Sequence, residues 1–199
     1  MLSEKCWESE YNLALTIYNA AAEIAYASGD YEQVEIMISE VMKGALTFED
    51  KIQAYTTKLY VLGSRNSLSE AMTLGLKVLE QLGERFPLHP KRRHVLSSFI
   101  KTRFSLRNRS DEMLLRLPTI TNERAAAALT IMNILVPSSF FENPNLFPLL
   151  VLRMIQVSLK FGMSAVSCVA FALYGIILVS NCRYVNDGIR MGDLSLRLL

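Results

Sequence analysis

The side chains that could do chemistry are few and poorly placed for it. His89 and His94, the two histidines, flank Pro90 with no Asp, Glu or Cys at metal-ligand spacing beside them, so both read as surface residues. Asp111 and Glu112 are adjacent carboxylates. Neighbours on a helix point about 100° apart, so this pair does not form an acid/base couple and reads as a helix start complementing the dipole. Cys6, Cys168 and Cys182 are an odd set without CxxC spacing, which indicates neither a zinc site nor a disulfide framework and fits a reducing compartment. Cys168 and Cys182 lie in apolar sequence, where cysteine behaves as a small hydrophobe. No GxxxxGKS, GxxxxGKT, GxGxxG, DFG or HRD-like string occurs. The expectation is a chain that is not an enzyme and takes no cofactor or metal.

What remains is contact chemistry. Trp7, Tyr11 and Tyr18 recur at helical spacing and can anchor a partner, although packing onto the next helix is the favoured reading. Charge is unevenly spread: residues 1–50 hold ten acids against Lys5 and Lys43, whereas residues 85–109 hold eight bases and no acid. Such a block can meet nucleic acid or an anionic membrane. Lys91, Arg92, Arg93, Lys101, Arg103 and Arg107 nevertheless spread around a helix, and Val95, Leu96, Phe99, Ile100 and Phe104 interrupt them. A solvated helix surface is favoured over a nucleic-acid contact, and Arg92 and Arg93 stand as candidate partner contacts.

The elements that must position these residues are helical throughout. Few segments alternate with period two, only six prolines and nine glycines interrupt 199 residues, and Ala, Leu, Met, Glu and Lys are abundant. Residues 15–45 form a helical hairpin around Ser28-Gly29-Asp30, with Gly29 ending one helix in the left-handed conformation and Asp30 capping the next. Val34, Met37, Ile38 and Val41 then make one buried stripe. A second hairpin spans residues 49–83, with helices at 52–62 and 68–82 about a Gly63–Ser67 turn. Val34 and Ala71, at equivalent positions, are 37 residues apart, near the period of about 34 of tetratricopeptide repeats.

EAMTLGLKVLEQL at 70–82 aligns without gaps to DGIRMGDLSLRLL at 187–199, so Ala71 and Gly75 correspond to Gly188 and Gly192. Small residues four apart admit a close neighbour, and Asp187, Arg190, Asp193 and Arg197 form an outward stripe on the last helix. Between the hairpins, residues 91–107 read as a poorly amphipathic helix, Pro118 and Pro137 as helix stops, Thr121 or Asn122 as a cap, and Asn143-Pro144 as the opening of another helix.

Residues 161–182, FGMSAVSCVAFALYGIILVSNC, carry no charge and are long enough to cross a bilayer core of about 30 Å. Ser164, Ser167, Tyr174 and Asn181 fall opposite Val169, Leu173, Ile176 and Ile177, while Ala165, Cys168, Ala172 and Gly175 suit close helix neighbours. Such a stripe gains nothing from lipid, so a buried helix is favoured, with Ser180 the residue that fits least well. The N-terminus has neither a secretory nor a transit signal, and a cytoplasmic location is expected.

YNAAAEIAYASGDYEQVEIMISEV, LSEAMTLGLKVLEQLGERFP, LPTITNERAAAALTIMNILVPSSFFENPNLFPLLVLRMIQVSLKFG and SAVSCVAFALYGIIL, in that order, resemble the tetratricopeptide-like helical region of large signalling proteins. In that family a serine/threonine kinase-like domain and an AAA-type predicted ATPase of the STAND class precede the region. A GAF sensor and often a histidine kinase follow it. The resemblance implies a scaffold and transfers no kinase or ATPase residue to this chain.

The resulting expectation is all-α: a right-handed α-solenoid of antiparallel helical hairpins, about nine helices, with 1–199 a single helical-repeat domain cut from a larger array. Its partners would be proteins or the flanking ATPase and kinase domains. The competing readings are an integral membrane protein with a hairpin of residues 125–141 and 161–182, and a basic-patch nucleic-acid binder.

Overall fold

The computed structural model describes residues 6–180 and 184–199, and every regular element among them is helical. The protein is all-α. The chain divides into two compact units, Met1–Ala71 and Met72–Leu199.

The first unit grows from the Ser28–Asp30 corner. Gly29 takes φ +77°, which glycine adopts without a Cβ penalty, and the Asp30 carboxylate accepts from Gln33 N–H at 3.0 Å. The corner joins α2 (Tyr11–Ala27) to α3 (Tyr31–Gly44), after a short α1 (Cys6–Ser9). A 3-10 turn at Glu49–Lys51 leads into α4 (Ile52–Ser64), which packs on both α2 and α3. Ala14, Tyr18, Ala22, Val34, Ile38, Val41, Ala54 and Val61 form the core of this unit. The Val34 stripe is therefore buried as its spacing requires. Asn66, at φ +57°, turns the chain from α4 into α5 (Leu68–Gln81), and asparagine is among the residues that tolerate this conformation.

The second unit contains most of α5 and then α6 (Arg92–Leu106), α7 (Asp111–Leu115), α8 (Glu123–Glu142), α9 (Leu146–Phe161), α10 (Ala165–Ser180) and α11 (Val185–Arg197). Helices α8, α9, α10 and α11 pack each on the next, and α6 lies on α9. Eleven α-helices among the described residues exceed the expected nine because α1 and α7, of four and five residues, are too short to show a helical period. The α9–α10 corner is fixed by backbone pairing, Ile120 N–H to Met163 O and Met163 N–H to Pro118 O, both 2.8 Å. Gly162 stands there at φ +111°. The buried Glu84 carboxylate is held by Arg153 of α9.

Four expectations need correction. Pro137 does not stop a helix but lies inside α8. Its ring removes a helical hydrogen bond, at a cost of about 3 kcal/mol. Met132, Leu135, Val136, Ser138 and Ser139 on both sides of it are buried, so packing holds the helix through the proline.

The outward stripe of α11 is only half outward. Asp193 and Arg197 are exposed, whereas Asp187 meets Arg103 at 2.5 Å and Arg190 meets Asp111 at 2.7 Å. Alternating charges there found opposite charges on α6 and α7.

Of the paired glycines, Gly188 and Gly75 are close contacts, against the Gly175 carbonyl and Leu135 respectively, but Gly192 faces open space. A Cβ on Gly175 would lie 2.8 Å from the Gly188 carbonyl oxygen and 3.4 Å from the Gly192 nitrogen, and Gly188 also meets Val179, which gives the antiparallel register of α10 and α11.

The fourth concerns α10, which is turned the other way from an ordinary amphipathic helix. Ser167 and Tyr174 are buried, while Val169, Ile176 and Val179 are exposed. A helix apolar on nearly every side has apolar surface to spare, and its hydroxyls find partners inside: Ser167 Oγ and Ser158 Oγ lie 2.8 Å apart, and Ser164 N–H donates to Ser167 Oγ at 3.0 Å. Ser180, exposed, donates to the Ile177 carbonyl. Asn181 and Cys182 lie outside the described residues.

Candidate functional site

The two candidate contact surfaces of the sequence fare differently. In the first unit Trp7 stacks on Tyr18 with ring centroids 5.5 Å apart and planes within 4°. Its indole also sits where a Cβ on Gly44 would be, so Trp7 is packed onto α3. Tyr11 donates to the Asp50 carboxylate at 2.6 Å and accepts from Leu46 N–H at 2.9 Å. Burial raises the Tyr11 phenol above its ordinary value, and hydrogen bonds from Thr47 and Tyr11 hold Asp50 below the usual carboxylate range. The aromatic stripe is engaged within its own unit, tying α1 and α2 to the 3-10 turn.

In the second unit a cleft of about 470 Å³ opens between α6 and the α10–α11 hairpin. From α6 come Phe99, Ile100, Arg103 and Phe104, with Arg107 at its C-cap; Tyr174 and Leu178 of α10 and Met191 of α11 line it opposite. Arg103 bridges the cleft. Its guanidinium pairs with Asp187 and lies 4.3 Å from the centroid of the Tyr184 ring, a cation–π contact. The Asp187 hydrogen bond raises the Arg103 pKa further, so this charge is permanent. Burial pushes the Tyr174 phenol up to about 12, against the opposing pull of Arg103. Arg190 is fixed to Asp111 and to the Arg109 carbonyl at the far end.

Two large hydrophobic residues of α6 are left facing water at the mouth of the cleft. Ile100 is 59% and Phe104 75% exposed, with Leu96 of the preceding turn at 60%. Reading α6 as poorly amphipathic missed this because the bases obscure it; the usable signal was Leu96, Ile100 and Phe104 at spacings of four. Arg92 and Arg93 are exposed at the start of α6 and do not line the cleft.

The remaining candidates stand apart. His94 Nδ1 accepts from Lys91 N–H at 3.1 Å, a capping contact, and His89 is exposed. Asp111 and Glu112 open α7, capped by Ser110, and Glu112 is held below the usual carboxylate range first by its own backbone N–H and then by Ser110. Cys6 and Cys168 are free thiols, and no group of three metal-ligating side chains gathers among the described residues. No protein-family model matches the chain, and no curated protein or solved structure matches it either.

Proposed function

We propose that the chain is a non-enzymatic helical-repeat interaction module, a tetratricopeptide-like α-solenoid of antiparallel hairpins, whose binding element is the cleft between α6 and the α10–α11 hairpin. The observation that carries the reading is Ile100 and Phe104 standing in water at the mouth of a cleft walled largely by Phe99, Tyr174, Leu178 and Met191. A cleft of this size with apolar walls and a few fixed polar groups accommodates side chains of a partner segment. The family resemblance extends the proposal: in a cytoplasmic parent protein, the module would relay a nucleotide-dependent switch in an ATPase to a kinase output.

A random helical-peptide library selected on the immobilised full chain tests it. Selection of discrete sequences by the native protein, and their loss with I100D/F104D, is expected. Equal enrichment on both would remove the cleft from the function. The membrane reading has one point in its favour, because α8 is long and apolar enough to cross a bilayer. Half of that apolar window is buried inside the protein, however. Purification as a monodisperse species without detergent would decide against it.

A further inference from the structure

We infer that the cleft and the exposed face of α6 take one kind of partner, an acidic amphipathic helix from another protein; the inference rests on the interaction-module reading and names its ligand class. On the helical wheel Arg93, Leu96, Ile100, Phe104 and Arg107 fall within about 80° of one another. All five are exposed. They form a ridge with three large apolar groups in the middle and an arginine at each end. From Arg93 to Arg107 it extends about 21 Å at 1.5 Å per residue, four turns of helix.

The charge on this surface has one sign where it is free. Residues 85–109 carry no acid. The residues lining the cleft include three arginines, Arg103, Arg107 and Arg190, against the single Asp187. Asp187 is spent on Arg103, and Arg190 is spent on Asp111, which leaves Arg107 without an ion-pair partner among the described residues. Arg92 and Arg93 stand in the first turn of α6, where the helix dipole disfavours positive charge. A ligand carrying carboxylates at both ends of an apolar stripe relieves both ends of the ridge.

The apolar groups decide between protein and nucleic acid. Single strands are held by stacking on aromatic faces, yet two of the three ridge residues, Leu96 and Ile100, are aliphatic and spaced by one helical turn. That spacing matches the i, i+3, i+4, i+7 side chains of a helix laid in a groove.

Fluorescence anisotropy on the full chain provides the test, using three labelled 18-residue probe peptides. Each carries leucines at i, i+3, i+4 and i+7, with paired end residues that are Glu, Gln or Lys. The Glu peptide should bind about tenfold more tightly than the Gln peptide at low salt, with the advantage shrinking at high salt. R93E/R107E should lose that preference and bind the Lys peptide instead, a gain that a misfolded variant cannot produce. F104D should weaken every peptide.

Equal binding of the Glu and Gln peptides, both abolished by F104D, would overturn the acidic class and leave the interaction module standing. Binding of none of the three peptides would overturn the inference. So would preferential binding of a single-stranded oligonucleotide, or concentration-dependent self-association lost in F104D, since each assigns the ridge to a different occupant.

Discussion

Two hairpins of this protein solve the same packing problem with opposite faces. In α2–α3 the buried side of the second helix is Val34, Met37, Ile38 and Val41, while Glu32 is exposed and the half-buried Glu35 and Glu40 pair with Lys58 and Lys43. In α9–α10 the second helix buries Ser167 and Tyr174 alongside Ala170 and Phe171, while Ile176 is 61% exposed. Polarity chose the buried side in the first hairpin because only one side of α3 is apolar. In α10 almost every side is apolar, so close-packing geometry and hydroxyl pairing chose it. Gly175 admits α11, and Ser158 receives Ser167. The first hairpin even leaves the Asn19 amide oxygen buried without a partner among the described residues, whereas the hydroxyls between α9 and α10 are paired.

The corners differ as the faces do, and here the largest effect is expected. Gly29 and Gly162 both have positive φ, but a Cβ on Gly29 would meet nothing within 4 Å, whereas on Gly162 it would lie 2.5 Å from the Pro118 carbonyl oxygen. Gly29→Ala should cost about 1 kcal/mol, the left-handed penalty alone. Gly162→Ala adds a clash with backbone that is itself paired to Met163, and should cost about 3 kcal/mol or more. Urea unfolding of both variants checks this. Similar losses would mean that the α9–α10 corner is as open as the α2–α3 corner.

The next effect is one of pH. The Tyr174 phenol, 2% exposed, is raised to about 12 from 10.0, so the native state keeps a proton that the unfolded state releases. With the folded pKa above the unfolded one, its contribution is fully present below pH 10 and is lost as pH rises towards 12, amounting to about 3 kcal/mol. Tyr174→Phe should flatten that decline, and the tyrosinate absorbance should lose its highest-pH step. A decline unchanged by the substitution would place the alkaline sensitivity elsewhere.

These contrasts also explain what the residues could and could not disclose. Gly29 and Asp30 are local devices and stand where the chain alone placed them; the cap is Asn122, one of the two residues the sequence offered, and the turn expected at 63–67 starts two residues later because α4 runs to Ser64. The direction in which α10 faces is not local. Ser167 is a polar interruption until Ser158, nine residues earlier, is brought within 2.8 Å of it. Pro137 misled for the same reason, since the packing that overrides it comes from residues on both sides of the break. The cleft was hidden differently: the bases of residues 85–109 were visible, but only the fold pairs Arg103 with Asp187, 84 residues away, and leaves Arg107 without an ion-pair partner among the described residues.

The smallest expected effect is the sharpest statement of the comparison. In α3 the rule for an amphipathic helix holds, and replacing buried Val34 by alanine should cost about 2 kcal/mol through lost burial and a cavity. In α10 the rule reverses. Ile176→Gln removes a large hydrophobe from water-facing surface and should change stability by no more than about 0.5 kcal/mol. Ser167→Ala, which makes the helix more apolar, should cost about 1–2 kcal/mol because Ser164 N–H and Ser158 Oγ each lose a partner. Thermal or urea unfolding of the two α10 variants ranks them directly. If Ile176→Gln proves the more damaging, Ile176 is covered in solution, and the exposed side of α10 is a contact surface in its own right.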